Sequence, residues 1–176
     1  MGMSTVIDGS NSVTINSGAV LGITSGTAVA STSGTSIDFT GIPSWVKRIT
    51  LIFNDVSQNG SSQRLIQLGT GATPTYTTSG YLATSSVVAS TVNTTSNTAG
   101  FLIYQDNPAY VCSGHMTITN VSGNIWISSH VAKLATNLSV FGGASVTLGA
   151  ALTAVRNTTV NGTDTFDAGS INIFYE

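Results

Sequence analysis

Glutamate and lysine are almost absent from this chain, which has one Glu and two Lys among 176 residues. Long helices rely on these residues, together with Ala, Leu and Gln, because such side chains lose little rotamer entropy in a helix. Val, Ile and Thr, by contrast, make up 57 of the 176 residues, and β-branched side chains pack well on pleated surfaces. The sequence therefore predicts an all-β fold rather than a mainly helical one.

Charged residues of every kind are scarce, at 7% of the chain, whereas soluble domains average about 25%. The net charge of −2 and the mean hydropathy of +0.28 exclude a chain that is disordered by charge. Five basic residues at a pI of 5.5 leave no electrostatic footprint for nucleic acid. Such a surface must be solvated by hydroxyl and amide groups, or be covered by other copies of the chain.

The length fits one domain, and Cys112 is the only cysteine, so no intrachain disulfide can form. A small core residue is the favoured role for Cys112, with a catalytic thiolate as the alternative. No basic segment precedes an apolar run near the N-terminus, and no run approaches the roughly 18 apolar residues of a membrane span. We therefore expect synthesis in a cytoplasm without export by the usual secretory signal.

Residues 1–35 form a low-complexity lead-in. Ser-Gly turns recur every eight residues, at Ser17-Gly18, Ser25-Gly26 and Ser33-Gly34. Strands this short cannot bury enough surface alone, so we predict a stalk or a set of edge strands laid on a neighbouring sheet. A flexible Ser/Gly linker is the alternative. Residues 36–176 are predicted to form the β-sandwich domain.

Turn residues divide this domain into roughly ten to twelve strands, the number expected of a sandwich or barrel. The strongest is 46–56, where Ile49, Leu51 and Phe53 share one face. A short loop joins it to 63–68, and this spacing predicts a hairpin. A long polar loop at 69–80 follows, and the other predicted strands are 36–40, 81–92, 98–105, 110–121, 124–133 and 169–176.

The clearest predicted hairpin folds at Ser122-Gly123, a two-residue turn. In that register His115 faces His130, and Thr119 faces Trp126, on a polar face. The opposite face is apolar and is predicted to lie on the core; it holds Gly114, Met116, Ile118, Ile125, Ile127 and Val131.

The facing pair of His115 and His130 is a candidate metal site, because the two Cβ atoms would lie about 4.5–5.5 Å apart. Symmetry copies could complete the ligand set. The sequence offers no carboxylate or cysteine beside the pair, so two surface histidines are the favoured interpretation. No metal and no other cofactor is expected.

Aromatic residues are candidate recognition residues. Trp126 on a polar sheet face would offer a large contact area at low entropic cost, either to a sugar ring or to a subunit interface; core packing is the other interpretation. Tyr76, Tyr81, Tyr104 and Tyr110 lie in or beside loops, where binding residues are common.

Signals for catalysis are weak. Asp164 and Asp167 lie three residues apart in a loop, where turn and cap roles are favoured over a calcium site that would need more ligands. The sequence contains no phosphate-binding loop, nucleophile elbow or HExxH motif. We therefore predict no catalytic residue.

Two blocks of the sequence carry a resemblance to a known family: STSGTSIDFTGIPSWVKRITLIFNDVSQNGSS at 31–62 and DTFDAGSINIFYE at 164–176. Both resemble segments of tail fibres and related tail proteins of bacteriophages and prophages, at the receptor-facing C-terminal end. With SGAVLGITSGTAVA at 17–30, the resemblance spans most of the chain. It implies a trimeric, β-rich tip that contacts the host surface and is assembled into virions in the bacterial cytoplasm. The chain departs from a full fibre in having no long shaft and no obvious virion-attachment domain, so we expect either a truncated fibre tip or a small separate tail protein.

Together these observations predict an antiparallel, jelly-roll-like β-sandwich that forms a homotrimer. Its expected role is non-enzymatic adhesion to a bacterial surface glycan or protein, with other tail proteins as partners and without nucleic acid or membrane insertion. The predicted receptor-binding residues are Trp126, His115, His130, Tyr76, Tyr81 and Tyr110, with the 69–81 loop. The first alternative is a structural virion protein that binds no receptor. The second is a glycan-degrading, tailspike-like enzyme, which would need a carboxylate pair converging in a groove.

Overall fold

The computed structural model describes residues 6–7, 12–15 and 18–176, with side chains described from Gly22 onward. This part of the chain contains seventeen strands and no helix. The strands are β1 Val6–Ile7, β2 Ser12–Ile15, β3 Gly18–Leu21, β4 Thr24–Ser25, β5 Val29–Ala30, β6 Ile37–Thr40, β7 Arg48–Gln58, β8 Arg64–Thr70, β9 Thr75–Tyr76, β10 Leu82–Val88, β11 Val92–Asn97, β12 Phe101–Ile103, β13 Cys112–Ser122, β14 Ile125–Ala135, β15 Leu138–Thr147, β16 Leu152–Thr159 and β17 Phe166–Tyr175.

Two antiparallel sheets pack as a sandwich, which confirms the all-β prediction. The larger sheet has nine strands in the order β11-β10-β15-β14-β13-β7-β17-β4, and β5 also pairs with β17. The smaller sheet has five strands in the order β12-β8-β16-β6, and β9 pairs with β8. No described helix could span a membrane.

The apolar core lies between the two sheets. In β7 the alternating residues Ile49, Leu51 and Phe53 all point inward and are buried, as the period of two predicts. Leu68 and Tyr81 also belong to this core; the Leu68 backbone N–H donates to the Tyr81 hydroxyl over 2.8 Å. Burial of each large side chain contributes about 1.5–3 kcal/mol to folding.

The chain passes from one sheet to the other between β7 and β8. Strand β7 pairs with β13 and β17, whereas β8 pairs with β12, β16 and β9. The hairpin predicted for these two strands is therefore wrong. The connection at 59–63 is long enough to bridge sheets that pack about 10 Å apart, and both strands can then turn their apolar faces to one core.

Asp164 holds this connection in place from another loop. The Ser62 backbone N–H donates to Asp164 Oδ2 over 2.9 Å, and Asn161 Nδ2 donates to Oδ1 over 2.6 Å. These contacts are those of a loop cap. In the described part of the chain, no three or more His, Cys, Asp or Glu side chains converge as metal ligands.

Strands β13 and β14 form the predicted hairpin, but in a different register. Met116 lies opposite His130 and Asn120 opposite Trp126, with an irregularity between Asn120 and Ser122. A bulge adds one residue to a strand, and a shift of one residue turns every side chain to the other face. The predicted facing of His115 with His130 and of Thr119 with Trp126 is therefore wrong.

The register shift exchanges the two faces of β14. Trp126, Ser128 and His130 point into the sandwich and are buried. The apolar residues that were expected on the core, Ile125, Ile127 and Val131, are exposed on the outer face of the nine-stranded sheet. His115 lies opposite Val131 and is exposed.

Part of the predicted lead-in joins the sheets. Strands β4 and β5 pair with β17, at one edge of the nine-stranded sheet, and β1, β2 and β3 form a three-stranded antiparallel sheet. The rest of the lead-in, at 1–5, 8–11 and 16–17, lies outside the described residues.

Candidate binding pocket

A pocket of about 110 Å³ opens at one end of the sandwich, where three connections meet. These are the β6–β7 connection, the β13–β14 turn and the β15–β16 connection. Its walls combine buried apolar side chains with polar ones. The lining residues are Ile42, Pro43, Ser44, Val46, Lys47, Asn120, Gly123, Asn124, Trp126, Ala151 and Leu152.

Trp126 is the one aromatic residue of this lining. Its side chain is 4% exposed, and its indole Nε1 has no hydrogen-bond partner among the described residues. A buried donor without a partner costs about 1–3 kcal/mol. The indole N–H is therefore a buried, unsatisfied donor beside the pocket, which a ligand oxygen reaches only if side chains of the pocket wall shift.

The polar lining is built from short side chains and one cation. Asn120 Nδ2 donates to the carbonyls of Gly123 and Ile125 over 2.9 and 3.1 Å, which fixes the turn and leaves its Oδ1 as an acceptor. Lys47 is exposed and forms no ion pair within the described part of the chain. Ser44 and Asn124 add a hydroxyl and an amide.

Backbone hydrogen bonds hold the three connections together. Asn120 N–H donates to Lys47 O over 2.8 Å, Leu148 N–H to Asn124 O over 3.0 Å, and Ile42 N–H to Thr153 O over 3.0 Å. The pocket is therefore preformed by the fold, as most small-molecule sites are.

The six predicted receptor residues do not come together. Only Trp126 lines the pocket, and it does so from the core side rather than from a polar sheet face. His130 and Tyr81 are buried, so neither presents a side chain to a receptor; this corrects their assignment as contact residues. His115 is exposed on the outer sheet face, and Tyr76 and Tyr110 are half-buried elsewhere.

His130 is a neutral core residue. Its Nε2 lies 3.1 Å from Ser85 Oγ, which also accepts the Tyr104 backbone N–H over 3.0 Å. Burial lowers the pKa of His130 to about 4. Gly142 on the neighbouring strand makes room for the ring, because a Cβ there would lie 2.5 Å from His130 Cε1.

Tyr76 belongs to a cluster on the five-stranded sheet. The Arg156 guanidinium lies 3.9 Å from the Tyr76 ring centre and donates to both oxygens of Asp38 over 2.8 and 2.7 Å. Burial, followed by the charge of Asp38, raises the pKa of Tyr76 to about 12. The ring is thus engaged in stacking within the fold.

Tyr104 and Tyr110 lie near another carboxylate. Tyr104 Oη donates to Asp106 Oδ2 over 2.5 Å, and this hydrogen bond, with burial, raises the pKa of Tyr104 to about 12. Burial, followed by the charge of Asp106, also raises the pKa of Tyr110. Both phenols therefore remain protonated at neutral pH.

Sequence reasoning missed Ser44, Lys47 and Asn124, which complete the pocket. A signal was present at the β6–β7 connection, where Pro43 precedes Trp45, a second tryptophan that is exposed. Aromatic residues in loops are typical of binding surfaces. The contribution of Asn124 carries no such signal, because a turn asparagine is equally expected for backbone reasons.

The carboxylates are engaged elsewhere. Each of the six in the described residues accepts a hydrogen bond from the chain, and none lines the pocket. The pairs are Asp38 with Arg156, Asp55 with Ser113, Asp106 with Tyr104, Asp164 with Ser62, Asp167 with Ser57 and Glu176 with Arg48.

Comparisons with known proteins suggest no function for this chain. The chain matches no model of a known protein family, no curated protein and no solved structure.

Proposed function

We propose that this chain is the receptor-facing tip of a bacteriophage tail fibre, and that its Trp126 pocket binds a bacterial surface glycan. The observation that carries the proposal is the preformed pocket with an unpartnered indole N–H at Trp126. Sugars offer many hydroxyl oxygens, which accept from an indole N–H or a lysine and exchange hydrogen bonds with amides and hydroxyls. A protein receptor that presents a similar polar group is the other member of this class.

The proposal includes the assembly and location implied by the resemblance to tail fibres. The sandwich is jelly-roll-like, the chain forms a homotrimer, and it is carried on the virion with other tail proteins. A charge-poor chain supports this assembly, since subunit contact covers surface that ionic groups would otherwise keep soluble. No catalytic step is proposed, because the described carboxylates are paired within the fold and lie outside the pocket lining.

Replacing Trp126 by Phe tests the pocket, because Phe keeps an aromatic ring and removes the N–H. We expect the Trp126→Phe variant to bind five- to tenfold more weakly, since a net hydrogen bond is worth about 1–1.5 kcal/mol. The measurement is a titration of fluorescent protein on whole cells from a panel of bacterial strains, repeated with surface polysaccharide purified from strains that bind. Circular dichroism and thermal melting check that the variant is folded.

Trp45→Phe is the matched control, because Trp45 is the second tryptophan and does not line the pocket. We expect this variant to bind like the unaltered chain. Equal binding by the Trp126→Phe variant would contradict the assignment of the pocket. Binding to no strain would favour the structural virion protein, and release of reducing sugar from the polysaccharide would favour the tailspike-like enzyme.

A further inference from the structure

The outer face of the nine-stranded sheet exposes an apolar patch. We define the outer patch as Leu82, Val88, Val92, Ile127, Val131 and Phe141, all of which are large apolar residues exposed to solvent. They lie on β10, β11, β14 and β15, which are neighbours in the sheet. Contiguous exposed apolar surface on a soluble domain marks an interaction site.

Strand β14 shows that this exposure is built into the fold. Its inward positions include the polar residues Ser128 and His130, and Ser128 Oγ is buried without a partner among the described residues. Its outward positions include Ile127 and Val131, which are 44% and 50% exposed. A strand with one solvated face normally keeps its large apolar side chains on the inward face, whereas β14 carries them on both, with Trp126 and Leu134 buried inside. The pattern of β14 therefore suits a strand that is covered on both faces.

The register of the strands places members of the outer patch beside one another. Val131 lies opposite Phe141, and Val88 lies opposite Val92, so each pair is in side-by-side contact distance on adjacent strands. Ile127 and Leu82 are joined through Ser145, which pairs with both. The apolar groups thus alternate with hydroxyls across the sheet face.

The patch is electrically neutral. In the sequences of β10, β11, β13, β14 and β15, the only Asp, Glu, Lys or Arg is Lys133. A charged partner would therefore find almost no opposite charges on this face. Lys133 is exposed on the same face, two residues after Val131, so each copy brings a single positive charge to the contact.

We propose that a second copy of this chain covers the outer patch. Five strands about 4.8 Å apart, with about seven residues each at 3.4 Å per residue, span roughly 600 Å² in projection. A surface of protruding side chains has more accessible area than its projection, which brings the face close to the roughly 800 Å² per partner of a standard interface.

Relief on this face fits contact between copies. A groove of about 70 Å³ lies beside Ile127, between Thr117 and Ser129. A larger one of about 260 Å³ lies beside Leu82 and Ser96. Ridges and grooves thus occur on one surface, so ridges of one copy can enter grooves of the next about a three-fold axis.

The inference deepens the homotrimer of the proposed function, because it names the surface through which the copies meet. It does not use the Trp126 pocket, which lies at the end of the sandwich. We expect light scattering of the purified chain to give three times the 18.0 kDa monomer mass. The Val131→Arg variant should raise the dissociation constant of this assembly at least about 100-fold, since an arginine buried between neutral faces has no partner.

Val160→Arg is the matched control, because Val160 is 47% exposed and follows β16, away from the outer patch. This variant should keep the mass of the unaltered chain. An 18.0 kDa monomer for the unaltered chain at every concentration would overturn the proposal, whatever other partner the face then binds. A Val131→Arg variant that is folded and keeps the full mass would overturn it as well.

The same variants separate this inference from the glycan proposal. Monomeric Val131→Arg protein should retain glycan binding per chain, because the pocket is formed within one chain. If the Trp126→Phe variant loses cell binding and keeps the mass of the assembly, the result supports the glycan proposal alone. If the unaltered chain assembles but binds no cells, the result supports the interface proposal alone.

Discussion

Acidification from pH 7 to pH 4 is expected to lower the free energy of unfolding by about 3 kcal/mol through His130. Burial holds the pKa of His130 in the folded chain at about 4, whereas an unfolded histidine titrates near 6.5. Between these values the unfolded chain binds a proton that the folded chain does not. The stability that depends on neutral His130 is therefore fully present above pH 6.5 and is lost as the pH falls toward 4.

Urea unfolding at a series of pH values measures this loss, and the chain supplies its own control. His115 is the only other histidine and is exposed on the opposite face of the same hairpin. The His115→Gln variant should keep the steep pH dependence, and the His130→Gln variant should flatten it between pH 6.5 and 4. The difference between the two variants removes every contribution to the pH dependence that the two variants share.

NMR titration of the imidazole protons gives a second test that needs no variant at position 130. The His130 signals should show neutral imidazole down to about pH 4. A His130 that titrates near pH 6.5 in the folded chain would contradict its placement in the core, together with the register of β14 that puts it there.

That register shows where sequence reasoning reaches its limit. In β7 the inward residues Ile49, Leu51 and Phe53 were predictable, because a period of two with a strong apolar face specifies which side is buried. Strand β14 carries large apolar residues at odd positions, such as Ile127, and at even positions, such as Trp126 and Leu134. Register is weakly specified when both faces are similar, and the bulge between Asn120 and Ser122 then decided it.

The connections between the two sheets could not be predicted from the sequence either. The residues 59–63 that follow β7 satisfy the requirements of a hairpin loop and of a bridge between sheets. The outcome depends on Asp164, a hundred residues along the chain, which binds the backbone of Ser62. Local patterns contain no information about such a contact.

The candidate site was the least predictable part. Its lining comes from three segments, 42–47, 120–126 and 151–152, which only the fold brings together. Trp126 was singled out by its residue type, and the structure places it in the lining of a pocket rather than on a polar sheet face. The scarcity of charge was the most informative global feature. It indicated a surface with few ionic groups, but it did not show which strands would carry the apolar outer patch.

Arg64 is the one buried cation in the described part of the chain, and its environment is poorly matched to its charge. It has no exposed surface, and its Nη2 makes only long contacts to Val56 O at 3.5 Å and Gln58 Oε1 at 3.4 Å. Its Nε and Nη1 have no partner among the described residues. Burial lowers the pKa of Arg64, and burial also raises the pKa of the neighbouring Cys112 thiol, so the thiol supplies no negative charge at neutral pH.

Replacement of Arg64 by Met is therefore expected to raise the free energy of unfolding by about 1–4 kcal/mol, the range seen when buried ionic groups are replaced by well-packed apolar ones. Met has a similar length, and its sulfur packs well against aromatic rings. The Phe166 ring, whose centre lies 5.8 Å from the guanidinium, supplies that contact. Urea unfolding at pH 7 measures the change, with circular dichroism as the check that both sheets are retained.

Arg156→Met is the matched control, and we expect the opposite sign. Arg156 lies on β16, the strand next to β8, but it is partly exposed, paired with both oxygens of Asp38 and stacked on Tyr76. Its loss should lower the free energy of unfolding by about 1 kcal/mol, because a bidentate pair near the surface contributes on that scale. An Arg64→Met variant that loses as much stability as Arg156→Met would show that the buried guanidinium stabilises the core. The contacts of the Arg64 side chain would then stabilise the fold by more than the burial of its unpaired charge destabilises it.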